Sequence, residues 1–151
     1  MAEILTMLEN QVLSISFNRA DKMNAITRAM YGQLADELNS ADQEFGIRAV
    51  ILTSEGDHFT AGNDITDFLE HPPTSQDSTV SKFLSALHNF SKPLIAAVKG
   101  NAVGVGSTML LHCDIVTASE SARFSFPFAS LGLVPEAGSS LLLPRLVGHH
   151  R

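Results

Sequence analysis

The chain has little cysteine, no cationic run and no long apolar stretch, and each lack removes a class of protein. Its single cysteine, Cys113, excludes an internal disulfide, and the apolar neighbours of that residue mark it as a buried core thiol. Lysine and arginine together number 10 against 16 acidic residues, a formal net charge of −6 at neutral pH. Without a basic run, neither nucleic acid nor an anionic membrane is expected as the main partner. A phosphorylated small molecule gripped at its rim needs few cations and stays open. No apolar stretch reaches the roughly 18 residues of a membrane span. Met1-Ala2-Glu3-Ile4 puts no basic segment ahead of an apolar run, so no signal peptide is expected and a cytosolic (cytoplasmic) or organelle-matrix setting is. His58, His71, His88, His112, His149 and His150 pair with no carboxylate at metal-ligand spacing, so no metal is expected.

What is present is a chain of 151 residues, 44% hydrophobic and 17% charged, enough for one globular domain over residues 1–151. Ile4 to Leu8 and Val12 to Phe17 alternate with period two around Glu9-Asn10-Gln11, the pattern of a hairpin. Thr27 is placed to cap a helix that carries Met30, Leu34 and Leu38 on one face and ends before Gly46. Ala49 to Thr53 reads as a buried strand, and Val80, Phe83, Leu84 and Leu87 place a helix after the polar loop Pro72 to Ser78. Leu94 to Val98 then reads as a strand, Val103 to His112 as a helix, Ile115 to Ala118 as a strand and Ser139 to Leu146 as a last helix. Strands alternating with helices predict an α/β fold.

Two segments look made for backbone chemistry. Ala61-Gly62-Asn63-Asp64 leads into a short helix, Ile65 to Leu69, that Asp64 can cap, and Gly100-Asn101-Ala102-Val103-Gly104-Val105-Gly106 repeats the design. Free N–H groups at a helix start, with the positive end of the helix dipole behind them, attract negative charge. Glycines there either admit a ligand to the backbone or let a helix pack closely on a sheet. Neither segment has phosphate-loop or dinucleotide spacing. In Leu131-Gly132-Leu133-Val134-Pro135-Glu136-Ala137-Gly138-Ser139-Ser140 one carboxylate stands between a proline and a glycine ahead of an apolar helical run. Glu136 is either a partner of that helix dipole or a proton carrier. The dipole would lower its pKa, and burial against Phe126, Phe128 and Leu133 would raise it; burial is expected to win.

The ordered motifs Asn18-Arg19-Ala20-Asp21-Lys22-Met23-Asn24-Ala25, Phe59-Thr60-Ala61-Gly62-Asn63-Asp64, Lys92-Pro93-Leu94-Ile95-Ala96-Ala97-Val98-Lys99-Gly100, Cys113-Asp114-Ile115 and Leu131-Gly132-Leu133-Val134-Pro135-Glu136 resemble the crotonase, or enoyl-CoA hydratase/isomerase, family from about Val12 to Gly148. The resemblance implies a spiral of ββα repeats, an acyl-CoA substrate, no cofactor beyond the coenzyme A of that substrate, and a homo-trimer or dimer of trimers. It implies an oxyanion hole from the backbone N–H groups of Asn63 and Val105. Substrate contacts are implied for Lys22, Met23, Ala25, Ala61, Gly62, Asp64, Ile65, Phe68 and Gly104, with Arg19 beside the nucleotide portion. Phe59, Phe68 and Phe83 are candidates either for an acyl-pocket wall or for the core.

The hydratases of the family resemble one another in two glutamates that fall here on Thr108 and Phe128, and neither residue can activate water. The Δ3,Δ2-enoyl-CoA isomerase branch resembles this chain in a single glutamate after the proline of Gly-Leu-x-Pro, which makes Glu136 the implied catalytic base. Two other readings stay open: a hydratase, ring-opening or dehalogenating member using Asp64, Asp67 or Glu70 with a water, and a non-catalytic acyl-CoA-binding module. Family members continue through further helices beyond the point matched by Arg151, so this chain is expected to be C-terminally truncated, with apolar surface exposed.

Overall fold

The computed structural model describes residues 2–72, 75 and 77–150. The expected hairpin is present: β1 (Ile4–Glu9) pairs antiparallel with β2 (Val12–Phe17), turning through Asn10 and Gln11 at φ of 50° and 66°. From β2 onward the sheet is parallel. It adds β3 (Ala49–Ser54), β4 (Leu94–Val98) and, after a crossover, β6 (Ile115–Ala118), in the order β1-β2-β3-β4-β6. Between them lie α1 (Arg28–Gln43), α2 (Ile65–Glu70), α3 (Thr79–Asn89) and α4 (Val105–Thr108), and α5 (Ser139–Val147) follows. The short strands β5 (Asn101–Val103) and β7 (Arg123–Ser125) form a second parallel ladder, which Thr60 joins by a bridge to Ala102.

The unit of long strand, short strand or bridge, then helix occurs after β3, after β4 and after β6. This is a crotonase-type spiral of ββα repeats. Parallel strands present their C-terminal ends on one side, where ligand loops of α/β sheets gather. The Ala61, Gly104 and Glu136 segments each follow the end of one such strand.

Packing follows from periodicity. Leu94, Ala96 and Val98 alternate inward on β4, as Val50 and Leu52 do on β3. Met30, Leu34 and Leu38 recur at helical spacing on α1, and its N-cap is Thr27, whose hydroxyl accepts from Met30 N. With Phe83 and Leu87 of α3 they form one buried core. Cys113 packs at the edge of this core, half-buried, with its thiol pushed up to about 12 by burial and then by Asp114.

The expected helix over Val103 to His112 is corrected. Val103 ends β5, Gly104 turns the chain at φ 57°, and a single α-turn tightens into a 3-10 turn over Met109–His112. Val-Gly-Val-Gly carries no period that separates strand from helix, and the ladder partners that make β5 a strand lie far along the chain. Elsewhere β1, β3, α2 and α5 run one residue beyond the expected bounds, while β2, β4 and β6 match them. Of the loop expected over Pro72 to Ser78, residues 73, 74 and 76 lie outside the described residues.

Asn24 is a structural hub that composition did not mark. Fully buried, it accepts from Arg19 N at 2.7 Å and donates to the carbonyls of Glu55 and His58 at 2.9 and 2.8 Å. Asn24→Ala leaves those partners unpaired and is expected to lower stability by about 3 kcal/mol, read as a lower midpoint in urea with an unchanged slope. The third repeat is the least covered part of the molecule: Ile115, Phe124, Val134 and Leu146 stand exposed.

Candidate active site

The two glycine segments meet edge to edge. Thr60 N donates to Asn101 O and Val103 N to Thr60 O, both at 3.0 Å, and a β-carbon on Gly62 would stand 2.7 Å from Val103 O. Ile26 pins the first segment from behind, donating to Gly62 O at 2.8 Å and accepting from Asp64 N at 2.9 Å. Those bonds turn the Asn63 N–H the other way, as alternation along an extended chain requires. In the second segment Gly104 O caps α4 by accepting from Ser107 N and Thr108 N, and Val105 occupies the first helical position. Among the described residues neither Asn63 N nor Val105 N finds an acceptor. Both groups are therefore free to hold an oxygen.

Glu136 arrives from the third repeat. Ala137 and Gly138 follow it at φ 53° and 65°, and Ser139 N donates back to Glu136 O at 2.9 Å. A non-glycine residue in the left-handed region is held there by its surroundings. His112 supplies part of the hold, its Nε2 lying 2.8 Å from Ala137 O. The Glu136 side chain is half-buried, and Thr108 Oγ1 donates to its Oε1 at 3.4 Å. Burial raises the carboxyl pKa, and the Thr108 hydrogen bond lowers it by less, the direction expected from sequence. The three residues expected to wall it share a separate hollow: Phe128, buried, and Phe126 and Leu133, exposed, line it together with Pro135 and Ser139, and Glu136 does not.

A residue the sequence reading missed joins these parts. Tyr31, the one tyrosine of the chain, is buried on α1 and donates its hydroxyl to Asn63 Oδ1. Burial first, and then the charge of Glu136, push its phenol well above the ordinary tyrosine range. The available signal was a polar aromatic ring on the apolar face of α1, beside Met30.

A cavity of about 610 Å³ opens beside Tyr31 and Asn63, lined also by Ile26, Asp64 and Phe68. Glu136, Gly104 and Val105 do not line it. Of the phenylalanines considered for its wall only Phe68 is there. Phe59 stacks edge-on against Phe17 and Phe83 packs on Tyr31, both fully inside the core.

The Met23–Ala25 backbone runs beside the site, with Met23 O accepting from Ala61 N at 2.9 Å, and Lys22 stands exposed at its edge. Ile65 is exposed on α2. Arg19 is not a loose loop cation: it pairs with Glu3 at 3.1 Å and Asp64 at 2.7 Å, and donates to Ala25 O. Asp64 is held below the usual carboxylate range by Arg19 first and then by the Asp67 N–H that it caps. A carboxylate so engaged is a poor base. Asp67 accepts from Arg28 N, and Glu70 is exposed. Among the described residues no group of three or more acidic, histidine or cysteine side chains could hold a metal, and no helix is long and apolar enough to cross a membrane.

A sequence model of the enoyl-CoA hydratase/isomerase family matches residues 7–151. The chain belongs to the enoyl-CoA hydratase/isomerase family. It superposes on a crystal structure of an enoyl-CoA hydratase/isomerase from Pseudoalteromonas atlantica with a TM-score of 0.94 and 51% identity, over 98% of this chain and 59% of that one. It is 37% identical to enoyl-CoA delta isomerase 2 of Homo sapiens over 92% of this chain and 37% of that protein. To 2,3-dehydroadipyl-CoA hydratase of Escherichia coli it is 36% identical over 98% of this chain and 58% of that protein. The chain thus spans less of each relative's length than each relative matches of it.

In this family member, Thr108→Val removes the hydroxyl that stabilises the ionised form of Glu136. The Glu136 carboxyl is expected to titrate at higher pH in the variant, as NMR of the isotope-labelled side chain over a pH series will show.

Proposed function

We propose that this family member moves the double bond of a 3-enoyl-CoA thioester to the trans-2 position, as a Δ3,Δ2-enoyl-CoA isomerase. The observation that carries the reading is a single half-buried carboxylate, Glu136, with raised proton affinity; the family resemblance puts Thr108 and Phe128 where the hydratases have their two glutamates. The thioester oxygen sits between the N–H groups of Asn63 and Val105, the free donors of the two glycine segments. Glu136 takes the C2 proton, the electron pair of that C–H bond delocalises into the enolate, and the same proton returns to C4. No water is consumed, so one carboxylate suffices. Two preorganised donors address the charge as it develops on the thioester oxygen, each worth roughly 3 kcal/mol of barrier.

The human relative named a delta isomerase supports the reading. A hydratase reading has support in the Escherichia coli relative's name, but Asp64, the acid nearest the first glycine segment, is engaged by Arg19. Met23 to Ala25, Lys22 and Ile65 border the path for the coenzyme A portion, and Phe68 the acyl portion. Coenzyme A enters as part of the substrate, without a separate cofactor. Homo-trimer assembly belongs to the same proposal, supported by the exposed Ile115 and Leu146. Mixing the protein with trans-3-hexenoyl-CoA tests the reaction: conjugated-thioester absorbance rises with no 3-hydroxyacyl product. Accumulation of the 3-hydroxyacyl thioester overturns it in favour of hydration.

A further inference from the structure

The proton-transfer scheme has no use for Tyr31, although it lines the cavity and its hydroxyl bonds Asn63. The ring is fixed in the core, 5.5 Å from Phe83 between centroids and 2% exposed. Its hydroxyl has one proton to give, and gives it to Asn63 Oδ1. Glu136 is close enough for its charge to bear on the phenol, yet is not the acceptor. With Oδ1 engaged, the hydrogens left to Asn63 are those of its side-chain NH2 and its backbone N–H, and among the described residues neither group has an acceptor.

Residue 63 is therefore anchored twice. The Ile26 bridge holds the peptide units on either side of it, and Tyr31 holds its side chain. The bridge alone leaves the extended segment free to twist about the Ile26 hydrogen bonds, which moves the Asn63 N–H off line. A side chain tied to a ring in the core removes that freedom. We propose that Tyr31 is a positioning residue that keeps the Asn63 donor aimed at the thioester carbonyl. The inference rests on the reading that Asn63 N–H holds that oxygen, and it adds to the site a residue from α1, an element with no other part in the chemistry.

The test is the carbonyl stretch of a bound saturated thioester, hexanoyl-CoA, isotope-edited at the carbonyl carbon, in the parent protein and in Tyr31→Phe. The substitution removes one oxygen and keeps the ring against Phe83. The parent is expected to shift the stretch to lower frequency than in solution, and the variant to recover part of the solution value. Over the same series kcat falls on the order of tenfold with KM nearly unchanged, the pattern of a donor displaced from a developing charge.

Asn63→Ala keeps the backbone N–H and removes the anchor, so it is expected to match Tyr31→Phe, and the double variant to lose no more than either single one. A parental carbonyl shift in Tyr31→Phe, additive losses in the double variant, or no shift in the parent each overturn the proposal. The spectrum involves no turnover. Failure of the isomerase reading in product analysis therefore leaves the positioning role standing, and failure of the spectral test leaves the role of Glu136 untouched.

Discussion

Glu136→Gln is expected to lower the rate of the proposed 3-enoyl-CoA isomerisation by about a hundredfold or more, the loss for the sole group that carries the proton, measured as conjugated-thioester absorbance against time. The amide keeps the shape of the side chain and can still accept from Thr108 Oγ1, now 3.4 Å from the carboxylate, so substrate affinity changes little. The same substitution stabilises the fold at neutral pH. Burial raises the folded-state pKa of Glu136, so the native chain binds that proton more tightly than the unfolded chain. Stability from this group is fully present below the unfolded carboxylate range, about pH 4, and is lost as pH rises through the folded pKa. Glutamine has no proton to lose. Its melting temperature is therefore expected to exceed the parent's at neutral pH and to converge with it below the carboxylate range. A loss of rate joined to a loss of stability would instead mark Glu136 as a structural residue.

The repeating framework was legible because it is written locally. The Thr27 cap, the Met30, Leu34 and Leu38 spacing, and the alternation in β3 and β4 each depend on residues close together in the chain. The strands β5 and β7 were not legible, being three residues each and made strands only by partners in another repeat. The same division runs through the site. The two glycine segments and Glu136 could be singled out because glycines and a proline punctuate the chain there, and Asn63 and Val105 within those segments were implied by the family resemblance. Tyr31 could not: its spacing on α1 reads as core, and its partner lies 32 residues away. Arg19 and Asp64 each looked available for a ligand until the fold paired them. The rise of the Glu136 pKa by burial was legible, but its wall was not, because Phe126, Phe128 and Leu133 line a different hollow.

Gly62→Ala is expected to cost the proposed oxyanion site its geometry. Gly62 sits at φ 86°, and an added β-carbon would meet Val103 O at 2.7 Å, a backbone atom that cannot yield as a flexible side chain does. Relief requires the Asn63 segment to move away from the Val103–Val105 segment. Ile26 resists that from behind through its two hydrogen bonds. The two N–H groups then no longer address one oxygen, and losing one preorganised donor costs about a hundredfold in rate. Backbone strain at positive φ adds a loss of roughly 1–2 kcal/mol in stability, so the rate must be read well below the melting transition. Gly148→Ala separates the two effects. Gly148 lies at φ 85° with nothing within 4 Å of an added β-carbon, so it carries the strain without the collision. A melting temperature lowered in both variants, with the rate lost only in Gly62→Ala, places the effect at the contact between the two glycine segments. Equal rates in the two variants would show that this contact does not set the aim of the Asn63 and Val105 donors.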